Sequence, residues 1–310
     1  MDLKMKRKII ILSDVRYEFV AKNLIDSIII QTNHSIPIIY YTIGFESNID
    51  YPNLICQYFE PVKEYDTDFY FYKPAILYHA LNHFGGDFLF MDCDILVGKR
   101  FNLEYFRNDF DYPLLTTISH SFPIIFGPHY SNAKIWNPTL KYIGSDGLER
   151  LAVEVDIDGR VTGKPGTIIY NEAALMCLFG VKKRTMRYVG TCIISFGEKC
   201  EDFILEWKSL IENPWIRRRG KEYLPFHEET AMNIILWRRG VEKNYETIFL
   251  NTHKSEILKK VEMDENILDT YIEDDGYTYC RDSKEVLFYH GFKDGEESQK
   301  ALEFLKQNKQ

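Results

Sequence analysis

The chain has 310 residues, 45% hydrophobic and 27% charged, a globular balance that excludes wholesale disorder and suits an α/β enzyme with insertions. Its 38 Lys and Arg against 46 Asp and Glu give a formal net charge of −8, which excludes a general binder of nucleic acid. An anionic ligand would therefore need local help from a metal, a few placed cations or a helix N-terminus.

The six cysteines include no Cys-x-x-Cys pair, so a structural zinc site is not expected. Cys93, Cys177 and Cys192 sit in apolar runs and read as small buried hydrophobes. Met1 to Lys8 is basic, but only Ile9 to Leu12 follows it, too short for a signal-peptide core. No apolar stretch approaches the roughly 18 residues of a membrane span, so no transmembrane segment is expected and the expected location is the cytoplasm. The 21 Tyr fit a Tyr-rich core first, and a sugar- or base-lining surface second.

In chain order, Ile9 to Leu12 predicts a buried strand that ends in the polar pair Ser13-Asp14. Val20, Leu24 and Ile28 recur at helical spacing, and Ile36 to Ile43 predicts a second strand closed by Gly44. Strand, helix, strand is a βαβ opening and predicts a parallel sheet. Pro74 sits at a favourable first-turn position, Ile76, Leu77, Ala80, Leu81 and Phe84 form an apolar face, and Gly85-Gly86 stops the helix. Asp87 to Val97 reads as one central strand, apolar on both faces. Leu114 to Ile118 is another strand.

From Ser119 to Gly166 the periodicity fades among Pro and Gly, which predicts an inserted, partly irregular segment. Ile168 to Phe179 then predicts a helix, Tyr188 to Phe196 a strand, and Glu201 to Ile211 and Glu228 to Trp237 two helices. Ile248 to Leu250 and Val286 to Tyr289 predict short strands. No linker divides the chain. The expected organisation is one domain over 1–310: a nucleotide-binding half at 1–118, the insertion at 119–166, and an acceptor or sugar-side half at 167–310.

The sharpest chemical feature is Asp92-Cys93-Asp94 inside an apolar run. Burying one charge costs several kcal/mol, and two neighbouring like charges cost more, so something cationic is expected beside them. Strand alternation predicts that Asp92 and Asp94 share a face and that Cys93 points away. A divalent ion bridging to a diphosphate fits such oxygen ligands. The alternative is a solvated strand end carrying two surface carboxylates.

The stretch from Tyr72 to Gly98 resembles the core of the GT-A-fold glycosyltransferases, in which a helix starting near a basic residue leads to a strand bearing an Asp-X-Asp motif. The flavour is closest to glycogenin and the bacterial galactosyltransferases of family eight. The resemblance implies a GT-A-like α/β/α sandwich with a mostly parallel sheet. It also implies metal-dependent transfer of a sugar from a nucleotide-sugar donor, a UDP-sugar first among them, to a glycan, a lipid-linked glycan or a protein.

Tyr289 to Lys293 resembles the family's terminal segment. That likeness implies that Asp94 and His290 ligate Mn²⁺ or Mg²⁺, that Asp92 contacts the metal or the donor ribose, and that Lys293 touches the diphosphate, although its spacing from His290 is shorter than usual. Phe226 to Asn233 resembles the family's Asp-Gln-Asp-x-Leu-Asn helix start. It implies Glu228 as a donor-sugar contact and Glu229 as the carboxylate near the anomeric carbon, with Glu standing where the family has Asp and Gln. Asp14 matches the place that holds base or ribose, Tyr17 the base stack, and Lys73 a phosphate or ribose contact. Tyr188 to Thr191 matches a strand entrance whose Asn is missing here. Arg217 to Arg219 suits an anionic acceptor or a solvated loop.

Three rivals stand beside this reading. A phosphatase of the haloacid dehalogenase type also carries Asp-X-Asp at a strand end, but near its N-terminus and followed by different residues. A sugar nucleotidylyltransferase would show a Gly-rich loop where Ser13 to Arg16 stands. A non-catalytic carbohydrate-binding protein would leave a nucleotide-sugar intact.

Overall fold

A computed structural model describes residues 7–65, 69–98, 101–118, 125–126, 141–143, 149–151, 169–170, 179–181, 189–213, 227–241, 251–253 and 288–307. The chain folds as two units. The first is Met1–Thr117, Thr191–Glu201 and Glu246–Gln310; the second is Ile118–Gly190 and Asp202–Tyr245.

The first unit is built on a mixed, mostly parallel sheet. Its strands are β1 (Lys8–Asp14), β2 (Ile38–Ile43), β3 (Leu54–Phe59), β4 (Phe88–Asp92), β6 (Leu114–Ile118) and β11 (Val189–Phe196), in the order β3-β2-β1-β4-β11-β6. β2 and β4 flank β1 in parallel, β3 is parallel to β2, and β11 runs antiparallel to β4. The run Ile9 to Leu12 is apolar at every position because both faces of the sheet are covered.

Helix α1 (Glu18–Thr32) covers one face, where its Leu24, Ile25 and Ile28 share a core with Ile11, Tyr40 and Leu89. Tyr41, the next residue along β2, points to the other face. There its hydroxyl lies 2.9 Å from Nδ1 of His79 on helix α2 (Tyr72–Phe84). One helix on each face makes this an α/β/α arrangement. Gly85 ends α2 at φ +57°, a backbone angle that favours glycine.

A second sheet has the order β12-β13-β5, from β5 (Ile95–Val97), β12 (Asn251–His253) and β13 (Phe288–His290). Helix α5 (Gly295–Gln307) packs its apolar face on α1 and β13 through Leu302, Leu305, Val20 and Tyr289. A buried hydrogen bond of 3.2 Å from Asn23 to Ser298 fixes the register of the two helices.

The remaining elements are β7 (Ile125–Phe126) parallel to β10 (Ile169–Tyr170), β8 (Lys141–Ile143) antiparallel to β9 (Glu149–Leu151), α3 (Glu201–Glu212) and α4 (His227–Arg239). Within the second unit, Trp207 on α3 donates to the carbonyl of Glu228 at 2.7 Å.

Three expectations need correction. Asp87 to Val97 is not one strand. β4 ends at Asp92, Cys93-Asp94 turn, and β5 leaves for the second sheet, where Ile95 pairs with His290. The alternation that would put Asp92 and Asp94 on one face therefore does not operate through the turn. The helix expected from Ile168 begins instead as a strand, because Ile169 and Tyr170 pair with Ile125 and Phe126; apolar runs do not distinguish the two states by themselves. Cys93 and Cys192 are half-buried rather than buried. Cys177, Arg217 to Arg219, Tyr188, Ile248 to Leu250 and most of the 119–166 insertion lie outside the described residues.

Candidate active site

The C-terminal ends of β1 and β4 lie side by side, with Leu12 opposite Asp92. Ligands of open α/β sheets bind outside such ends. At the end of β1, Asp14 accepts from the backbone of Arg16 at 2.9 Å and from its guanidinium at 2.8 Å, and so caps the single turn Val15–Tyr17. Tyr17 follows, half-buried against the core shared by α1 and α5. Ser13 is buried, with its hydroxyl 2.6 Å from that of Tyr40.

At the end of β4, Asp92 meets Lys73. The first turn of α2 sets Lys73 over the ring of Phe90, 5.4 Å from its centroid, and buries it. Its ammonium lies 3.0 Å from one oxygen of Asp92 and donates to the carbonyl and hydroxyl of Thr191 at 3.1 and 3.2 Å. β4, β11 and α2 thus converge on one nitrogen. Burial pushes the Asp92 carboxyl up to about 6; Lys73 draws it down and Asp94 drives it up. Between the two carboxylates, burial raises the Cys93 thiol well above its usual range, with both neighbouring charges adding to the effect. Cys93 therefore stays a thiol, which makes it a poor nucleophile.

Asp94 occupies the turn between the sheets. Its carbonyl accepts from the backbone of Gly291 at 2.9 Å and of Phe292 at 3.0 Å, so the segment after β13 is pinned against it. Gly291 adopts φ +100° to make that turn. The result sets Nε2 of His290 4.0 Å from an oxygen of Asp94. That gap is too long for a hydrogen bond. It lies within the roughly 4 Å that two ligands of one divalent ion span when each sits about 2.1 Å from it. The donor set, one carboxylate and one imidazole with a second carboxylate two residues away, fits such an ion. Among the described residues no group of three or more His, Cys, Asp or Glu is gathered to hold a metal. Asp92 is turned to Lys73 instead.

The chain aligns in structure with the bifunctional glycosyltransferase WbbM in its apo form, at a TM-score of 0.51 and 12% identity over 96% of this chain. This chain has a GT-A-like α/β fold. It spans about half, 49%, of the WbbM chain. The galactosyltransferase LgtC, solved with donor and acceptor sugar analogues, aligns at 0.49 and 10% identity over 97% of this chain and 95% of its own. No protein-family model and no curated protein matches the chain by sequence.

Within this GT-A-like fold the structure gathers Lys73, Asp92, Asp94 and His290 in the first unit and sets Asp14 at the neighbouring strand end. Lys293 is exposed after the Gly291 turn. Glu228 and Glu229 start α4 in the second unit, where Glu228 is 5% exposed and Glu229 is half-buried. Asn233 on the same helix bonds both the N–H and the carbonyl of Val189, each at 2.8 Å, and so acts as a buried backbone clasp at the start of β11. Thr191 stands out in the sequence only as part of a loose match. Its contact with Lys73 needs two segments 118 residues apart, and no local pattern announces it.

Proposed function

We propose that the chain transfers a sugar from a nucleotide-sugar donor, a UDP-sugar first among the candidates, to a glycan, a lipid-linked glycan or a protein. One observation carries the reading: an ion pair of buried Lys73 with half-buried Asp92, beside Asp94 and His290 at the carboxyl end of a central strand, in a fold shared with a glycosyltransferase. Asp14 is matched by Arg16 and Asp92 by Lys73, whereas Asp94 faces an imidazole. The local balance favours an added cation, and a cation there favours a diphosphate.

Asp94 and His290 are the residues that would hold a divalent ion, Mn²⁺ or Mg²⁺, with Mn²⁺ favoured by the imidazole. When bound, the ion would neutralise charge on the leaving diphosphate. The chain's own residues supply the rest. The buried Lys73 fixes the direction of Asp92 and keeps a positive charge on the floor of the site. Asp14 and Tyr17 offer the nucleoside an acceptor and an aromatic ring, and Lys293 offers the diphosphate an exposed ammonium. Of the α4 pair, half-buried Glu229 has the access that a substrate-facing carboxylate needs. It takes the proton of the acceptor hydroxyl or holds a donor-sugar hydroxyl.

The test measures Mn²⁺-dependent transfer and slow hydrolysis across a panel of UDP-sugars, for the wild type and for Asp94→Asn and Glu229→Gln. Both variants are expected to lose about two or more orders of magnitude in turnover, with donor affinity held in Glu229→Gln. Near-normal turnover in Asp94→Asn with added metal overturns its role. A wild type that binds donors and leaves them intact points to a carbohydrate-binding protein.

A further inference from the structure

The segment leading into α2 carries four aromatic residues in a row, Phe69 to Tyr72. Three of them turn inward. Phe71 and Tyr72 are buried, with the ring of Tyr65 5.0 Å from Tyr72 and 6.3 Å from Phe71, and Phe69 lies 5.7 Å from Tyr72. Tyr70, in the single turn Phe69–Phe71, is 52% exposed. Isolated surface aromatics are ordinary, and exposure alone would say nothing.

What distinguishes Tyr70 is its neighbour. The ammonium of Lys73 sits 5.8 Å from the centroid of its ring, and that same nitrogen is 3.0 Å from Asp92. The ring therefore stands at the lip of the candidate site. Lys73 bonds Thr191 on β11 as well as Asp92 at the end of β4. The ring thus stands beside the ammonium that ties β4 to β11. A nucleotide-sugar whose diphosphate lies beside Asp92 and Asp94 brings its sugar within reach of that ring.

We propose that Tyr70 is a specificity-determining platform on which the pyranose ring of the donor stacks. The proposal rests on the glycosyltransferase reading. A pyranose presents C–H groups on one face, and these pack on the electron-rich face of an aromatic ring. The phenol hydroxyl adds a polar edge within reach of sugar hydroxyls. The single turn is clamped by three buried or packed aromatic neighbours, so the platform is presented at little entropic cost.

Tyr70→Ala and Tyr70→Phe would be titrated calorimetrically, in Mn²⁺, with UDP, UDP-glucose, UDP-galactose and UDP-N-acetylglucosamine. For the sugar the wild type prefers, Tyr70→Ala should weaken the UDP-sugar about tenfold, leave UDP alone unchanged, and flatten the preference among sugars. Tyr70→Phe keeps the ring and should stay within about twofold. A merely structural tyrosine would change UDP and UDP-sugar alike. An equal loss for UDP alone would assign the ring to the base and overturn the proposal. So would a Tyr70→Ala protein that binds every probe as the wild type does. A wild type that binds none of the four probes would bring down the UDP-sugar reading, and the proposal with it.

Discussion

Lys8 and Lys73 are both buried lysines at opposite ends of one sheet, and their surroundings differ in one respect. Lys8, at the start of β1, donates to the carbonyl of Gly85 at 2.9 Å and lies 5.2 Å over the ring of Phe88. Burial lowers its pKa, while Asp87 and Glu198 nearby raise it. Lys73 has the same kind of carbonyl and ring, but its direct partner is a carboxylate with a second carboxylate two residues on. Lys8 closes its end of the sheet electrostatically. Lys73 leaves its end with more acid than base, the condition under which a further cation binds. One device, a lysine stem threaded over an aromatic ring, is structural at one end and belongs to the candidate site at the other.

The contrast is open to direct attack. The largest expected effect is at Lys73. Lys73→Met strands half-buried Asp92 beside Asp94; breaking a fully buried pair costs about 3–5 kcal/mol, and the partly exposed carboxylate brings the expected loss to the lower end of that range. Denaturant unfolding should show that loss at pH 8 and less of it at pH 5, where Asp92 protonates more readily. The double variant Lys73→Met, Asp92→Asn should recover most of it. No recovery would mean that the lysine stem, not its charge, holds the site.

A smaller effect concerns pH in metal-free buffer. The folded Asp92 carboxyl, at about 6, titrates above its ordinary value of 3.8. The fold therefore favours the protonated form. Its contribution is fully present below about pH 4 and is lost as pH rises through about 6, a change of roughly 2–3 kcal/mol. Asp92→Asn should flatten that part of the stability profile. An unchanged slope between pH 4 and pH 7 would show that the strain lies elsewhere.

The smallest effect is expected at Lys8. Its lowered pKa means that stability is gained only as pH climbs toward 10.5, so at pH 7 the buried ammonium is a modest burden. Lys8→Met should lie within about 1 kcal/mol of the wild type at neutral pH, because an apolar stem of similar volume replaces the charge. It should also leave donor binding unchanged. A loss as large as that of Lys73→Met would erase the distinction between the two ends.

Much of the first unit was legible in the sequence. Ile9 to Leu12, the Val20, Leu24 and Ile28 spacing, and the stop at Gly85 each predict the element that forms, because burial on both sheet faces and helical periodicity leave strong local signatures. The anomaly at Asp92 and Asp94 was legible for the same reason: two carboxylates in an apolar run need a partner. The turn at Cys93-Asp94 was not. It exists because β5 finds its partner in β13, nearly 200 residues downstream, and no local pattern records that pairing. The strand at Ile169 was missed likewise, since its partner Ile125 lies in a stretch with little periodicity.

The sequence by itself determined that a parallel α/β sheet would carry charged groups at its strand ends, and it pointed to Asp92, Asp94, Lys73 and His290 one by one. Only the tertiary structure decided how they divide. It gave Asp92 to Lys73 and set Asp94 opposite His290 at 4.0 Å, with Tyr70 at the lip. The physical reason is range. Burial and periodicity act over a few residues and are written in composition and spacing. A buried charge is satisfied by whatever group the fold brings within about 3 Å, and for Lys73 that partner included a threonine 118 residues away.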